Sequence, residues 1–223
     1  MTRGIFLIGD KSPLFYAVAG EAAQRTESYT TAMITSRFSM SSGKQPSDFS
    51  SPDKAIALSW NPDSPISART LVFSAENRMG KIHDAILVFS PPVIYKTVET
   101  MMPEEIEALV NDHIKGWFLI VRELALYFQR SGSGSLSLVA RDIRKIRGRD
   151  SELNLLGQAA AASFMAFSRN LLAASYNEPY QVMGFSAPET CDMDKFAAWV
   201  FTKIDKSSKK DSGKWFRYSR FLN

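Results

Sequence analysis

The 223-residue chain has one cysteine, Cys191, and two histidines, His83 and His113. No intrachain disulfide can form, and a zinc site of the His/Cys type has no spacing to support it. Cys191 has no histidine near it in sequence, so an inert thiol is expected rather than a nucleophile. Long apolar runs are missing as well. No segment approaches the roughly 20 apolar residues of a membrane-spanning helix. The N-terminal run Ile5-Phe6-Leu7-Ile8 is short for a signal peptide and is soon followed by Asp10 and Lys11. Excess charge is small: the net charge is +4 and the isoelectric point about 9.1. That mildly favours anionic partners and is too little to indicate nucleic-acid binding. These absences lead us to expect a cytoplasmic protein with no membrane segment.

What is present fits a globular domain with a substantial core: 45% hydrophobic, 22% charged and 12% aromatic residues. No internal repeat or clear boundary divides the chain, so one domain over 1–223 is expected. Short apolar runs at 4–9, 29–37, 55–60, 84–89, 132–140, 179–185 and 214–221 read as strands. Helical stretches separate most of them. One follows Ser12-Pro13, a cap and first-turn pair; another follows Pro65. A long helix is expected from Pro103 to Arg130, with acidic residues first and a basic residue last, as the helix dipole prefers. Others cover 152–176 and 193–204. The 38–54 stretch, rich in Ser, Pro and Gly, reads as a loop. Alternating helices and uniformly apolar strands predict an α/β fold: a mostly parallel, doubly wound sheet of about seven strands with helices on both faces.

The order of these segments resembles the short-chain dehydrogenase/reductase family over essentially the full length. "ILVFSPP" stands where the family has its "LVNNAG" strand, and "VNDHIKGWFL" resembles "VNLKGTFL". "GSGSLSLVA" resembles "GSGRIVNISS", "AAAASFMAFSRNLLA" resembles "YAASKAALEGLTRALA", and "SGKWFRYSRF" the closing "TGQTLVVDGG". The resemblance implies a three-layer Rossmann-like fold, a nicotinamide dinucleotide at the carboxyl ends of the strands, and hydride transfer by a Ser-Tyr-Lys set assisted by Asn. Ser36-Arg37 at the end of the second strand implies the phosphorylated cofactor, NADP, if any.

Position by position, the chain departs from the pattern. "TGGSSGIG" corresponds to "IGDKSPLF". Gly9 keeps the corner glycine and Ser12 starts the helix. Pro13 and Phe15 replace two glycines that let backbone approach a pyrophosphate. Proline removes a donor, and phenylalanine adds a ring. Trp60 stands at an adenine-contacting Asp, and Phe89-Ser90-Pro91-Pro92 replaces "NNAG". By the same correspondence His113 falls at the active-site Asn, Arg141 at the catalytic Ser, Gly157 at the Tyr and Ala161 at the Lys. No cofactor is therefore expected.

Three functions remain open. One is a non-catalytic binding or scaffold protein on this fold. A second is a divergent NADP-dependent oxidoreductase, or another enzyme using His113 and the basic loop 141–150 on an anionic substrate. In that case Lys11, Arg141, Arg144 and Lys145 are the anion-binding candidates. His113 otherwise hydrogen-bonds locally, and the basic loop is otherwise a solvated charge run. A third is a nucleic-acid module using the same loop. In the resembled family the helices corresponding to 103–130 and 152–176 form a subunit interface, which implies a homodimer here.

Overall fold

The structure, a computed structural model, describes residues 3–27, 29–34, 55–92, 94, 96–142, 154–188 and 190–219. Its strands are β1 (Ile5–Asp10), β2 (Tyr29–Ile34), β3 (Ala55–Leu58), β4 (Asp84–Phe89), β5 (Ser135–Asp142), β6 (Gln181–Pro188) and β7 (Trp215–Arg217). They form one sheet in the order β3-β2-β1-β4-β5-β6-β7, and every neighbouring pair is parallel. The expected seven-stranded, doubly wound α/β architecture is what forms.

The apolar character of the central strands follows from covering both faces. In β1, Phe6 and Ile8 enter one core while Ile5 and Leu7 enter the other. In β4, Ala85, Leu87 and Phe89 take the first side, and Ile86 and Val88 the second. Helices α1 (Pro13–Arg25) and α6 (Met193–Asp205) cover the second side. Helices α2 (Pro65–Met79), α3 (Pro103–Val110), α4 (Gly116–Ser131) and α5 (Leu155–Ala174) cover the first.

The expected uninterrupted helix from Pro103 to Arg130 does not form. A π-helical turn, Asn111–Lys115, separates α3 from α4. The reason lies in spacing. Leu109, His113, Trp117 and Val121 recur every fourth residue, and all are buried. A stripe of period 4 drifts off the face of a 3.6-residue helix, and one wide turn restores it. Other boundaries shift less: β3 stops at Leu58, α5 starts at Leu155, β6 runs on to Pro188, and β7 spans only three residues.

The amino edge of the sheet is tied by charge. Arg3 Nε lies 2.5 Å from Asp84 Oδ2, and the same guanidinium pairs with Asp205. Arg25 pairs with Asp205 at 3.0 Å and with Glu21 at 2.5 Å. Ser135 Oγ donates to Asp84 Oδ1 at 2.6 Å. His83 Nδ1 accepts the Gly4 N–H at 2.8 Å, a structural role. These contacts join β1, α1, β4, β5 and α6 at one end, leaving the carboxyl edge for other work.

Candidate functional site

In this strand order the chain leaves β1 for one side and β4 for the other, which opens a crevice beyond their carboxyl ends. Three segments meet there: the turn after β1, the stretch after β4, and the π-helical turn.

The turn after β1 is closed by its own side chains. Ser12 has extended backbone (φ −141°, ψ 156°), and its hydroxyl accepts the Phe15 N–H at 3.2 Å. Ser90 Oγ donates to the same hydroxyl at 2.8 Å. Pro13 occupies the first helical position and offers no N–H. Ser12 thus uses one of the helix's free donors, and Pro13 removes another. Lys11 is exposed.

Gly9 differs from expectation. It is an internal strand residue paired with Met33 and Val88, and its φ is not positive. It does not turn the corner. A Cβ there would stand 2.5 Å from the Val88 carbonyl oxygen and 2.8 Å from Phe15 Cδ2. Close packing is what requires glycine. The Phe15 ring is 1% exposed and points inward, into the core shared by α1 and the sheet.

His113 sits in the π-helical turn, 1% exposed, with its Nδ1 3.7 Å from Asp10 Oδ2. That is too far for a direct hydrogen bond. Neither carboxylate oxygen of Asp10 and neither ring nitrogen of His113 has a hydrogen-bond partner. Burial raises the Asp10 carboxyl well above the usual carboxylate range, and the charge of Asp112 adds to that. Burial pushes the His113 imidazole down to about 4. Each environment favours the neutral form. The Phe89 ring stands edge-on to His113 at 6.4 Å and also packs against Trp117 and Phe164. The pair is thus polar chemistry set in an aromatic wall.

On α5, Gly157 is pressed against main chain. A Cβ there would collide with the Pro92 carbonyl oxygen and with both polar atoms of the Asn154 amide. Asn154 holds that segment down: its Oδ1 accepts the Ile94 N–H at 3.0 Å, and it forms a parallel bridge with Lys96. Lys96 in turn meets Glu105 at 2.5 Å. Ala161, one turn on, is half-buried against the core. Arg141, the last residue but one of β5, is half-buried opposite Ala187 of β6. Ser36, Arg37, Arg144 and Lys145 lie outside the described residues.

The structure therefore brings Ser12 and Gly9 together with His113 at one crevice. It adds a residue the sequence reading missed, Asp10. The signal was available: an acid closing a fully buried apolar strand. Phe118, Leu126, Ile106 and Val110 of α3 and α4, and Leu155 of α5, are exposed. Among the described residues no helix is long and apolar enough to cross a membrane, and no group of His, Cys, Asp and Glu is arranged to hold a metal ion.

No family profile and no curated protein matches the sequence. Solved structures do. A 3-ketoacyl-(acyl-carrier-protein) reductase from Brucella melitensis, complexed with NADH, superposes with a TM-score of 0.75 at 14% identity, over 96% of each chain. A short chain dehydrogenase from Mycobacterium smegmatis gives 0.73 at 12% identity, covering 100% of this chain and 94% of that one. The NADH-dependent reductase A1-R', complexed with NAD, gives 0.70 at 12% identity over 97% and 95%. The strand order, the crevice and these superpositions together establish that the chain has the fold of the short-chain dehydrogenases/reductases.

Proposed function

We propose that the protein descends from the short-chain dehydrogenases/reductases as one domain over 1–223 and no longer performs their hydride transfer. It acts as a binding or scaffold protein in the cytoplasm. The observation that carries this reading is Gly157. On the correspondence with the family's helix it takes the place of the tyrosine acid, and backbone fills the space a side chain would need. Ala161, in place of the lysine, brings no cation. The self-capped start of α1 adds support, because Ser12 takes one free N–H and Pro13 removes another, which leaves little for a pyrophosphate to bind; the Phe15 ring, expected to block that space, instead lies in the core. We further propose a homodimer through 103–130 and 152–176, where exposed Phe118, Leu126 and Leu155 need cover. Calorimetry with NADH and NADPH, combined with a carbonyl-reduction assay, tests the main reading. Neither cofactor should bind at micromolar concentration. Binding accompanied by turnover of any carbonyl compound would reject it.

A second reading, favoured by the Asp10–His113 pair, is an enzyme with a relocated site. It includes a divergent oxidoreductase that keeps a nicotinamide dinucleotide, as in solved neighbours complexed with NADH and NAD, with NADP resting on Ser36-Arg37 alone. In that case replacing His113 should abolish activity and leave the fold intact.

A further inference from the structure

Charge is spread unevenly along this chain. The 27 residues from Met193 to Ser219 hold seven Lys and Arg against three Asp, a net of +4, which equals that of the whole sequence. Everything outside that stretch balances to zero. A total of +4 is too small to indicate a polyanionic partner, but its confinement to one short stretch is a different signal. That stretch forms α6, the turn after it and β7, and all seven cations are exposed. Its acids do little to neutralise them. Asp205 is engaged by Arg3 and Arg25, and Asp211 by Lys214 alone. Among the described residues no ion pair holds Lys203, Lys206, Lys209, Lys210 or Arg217.

Aromatic rings stand among these cations. Trp199 of α6 meets Tyr218, just beyond β7, with centroids 5.4 Å apart. Phe216 of β7 stacks on Phe185 at 5.5 Å. Trp199, Phe216 and Tyr218 are each only half-buried. Lys203 ties two of them together: its Nζ lies 5.8 Å from the centroids of both Trp199 and Phe216. β7 is the last strand of the sheet, so among the described residues no further strand covers this edge.

We propose that the α6–β7 edge binds single-stranded nucleic acid, at a surface that uses no residue of the crevice. The lysines neutralise phosphates, and bases stack on Trp199, Phe216 and Tyr218. Lys203 sets a phosphate contact directly beside a stacking ring. Other polyanions match only part of this surface. An acidic peptide matches the charge and leaves the rings without a partner. An anionic bilayer needs apolar side chains that protrude into it, and among the described residues of 193–219 no large apolar side chain is exposed. A duplex offers phosphates but keeps its base faces stacked on one another.

The test is fluorescence anisotropy of a labelled oligothymidylate of about 12 nucleotides with the full chain. Binding should occur at about 10 µM or below in about 50 mM salt, and weaken roughly 20-fold in about 200 mM salt, as ion release from about three phosphates requires. Trp199→Leu keeps an apolar side chain and removes the broad ring. It should weaken binding about fivefold or more and leave the salt dependence unchanged. Joint replacement of Lys206, Lys209 and Lys210 by Gln alters exposed side chains alone, and should weaken binding about tenfold while flattening the salt dependence. Should Trp199→Leu fail to fold, Tyr218→Leu takes its place. Absence of binding in low salt, equal affinity for a hairpin duplex, equal displacement by polyglutamate, or full affinity in the ring variant overturns the inference. The two readings fail separately. NADPH binding with carbonyl turnover rejects the non-catalytic reading alone, and loss of oligonucleotide binding rejects this surface alone.

Discussion

Two aspartates at opposite ends of adjacent strands make an instructive pair. Asp84 opens β4 at the amino edge of the sheet, and Asp10 closes β1 at the carboxyl edge. Their burial is nearly equal, at 6% and 8% exposure. Asp84 accepts from Arg3 at 2.5 Å and from Ser135 at 2.6 Å. Asp10 accepts from nothing. Burial alone does not separate a structural carboxylate from a candidate reactive one. The count of partners does, because a satisfied group is held in one state and an orphan is free to change its own.

The largest expected effect breaks the amino edge. Asp84→Ala leaves the Ser135 hydroxyl without its acceptor and the Arg3 guanidinium with Asp205 alone, and should cost about 3 kcal/mol in urea unfolding at neutral pH. A loss below about 1 kcal/mol would erase the contrast between the two aspartates.

Next comes pH. The Asp10 carboxyl is raised above 3.8, so its contribution is complete below 3.8 and is lost as pH climbs through the folded value. The His113 imidazole is lowered from 6.5 to about 4, so its contribution is complete above 6.5 and is lost as pH falls toward 4. Between those limits the two slopes oppose each other and mask each other. Asp10→Asn removes one of them. The variant's stability should then rise with pH across that window, by up to about 3 kcal/mol, in unfolding curves taken at several pH values. A flat profile would show that His113 is not held neutral by burial.

At neutral pH, Asp10→Asn should raise stability by about 1 kcal/mol or more, since the variant no longer carries a carboxyl that burial disfavours there and has no hydrogen bond to lose. Smallest of all, Asp205→Asn should cost at most about 1 kcal/mol and lose its effect in high salt. Burial alone would raise that carboxyl; hydrogen bonds and charge from Arg3 and Arg25 hold it below its ordinary value, in a site over a third exposed. An Asp205 effect as large as that of Asp84 would mean that exposure is a poor guide at this edge.

Much of the architecture could be read from sequence, because it rests on local rules. The uniformly apolar β1 and β4 announced a two-sided sheet, and Ser12-Pro13 announced a helix start that formed. The π-helical turn was harder. Its signal was a period of 4 from Leu109 to Val121, a small departure from 3.6 that looks like an ordinary helical stripe. Asp10 escaped because a lone acid after a strand usually faces solvent, and only the tertiary approach of His113 buries it. The role of Gly9 was misjudged for a similar reason. Glycine at a strand end reads as a turn, whereas the crowding that requires it comes from Val88 and Phe15. Long-range approach, not propensity, sets all three.

The contact between Gly157 and the Pro92 carbonyl has a consequence for reversibility. An enzyme that loses a catalytic side chain by substitution alone can regain it the same way. Here main chain stands in the gap, fastened through Asn154, Lys96 and Glu105. Any side chain introduced at 157 must first displace that segment, and with it the start of α3. On the reading proposed above, a return to a side chain at 157 runs through a rearranged backbone, and selection acting one residue at a time meets a barrier there.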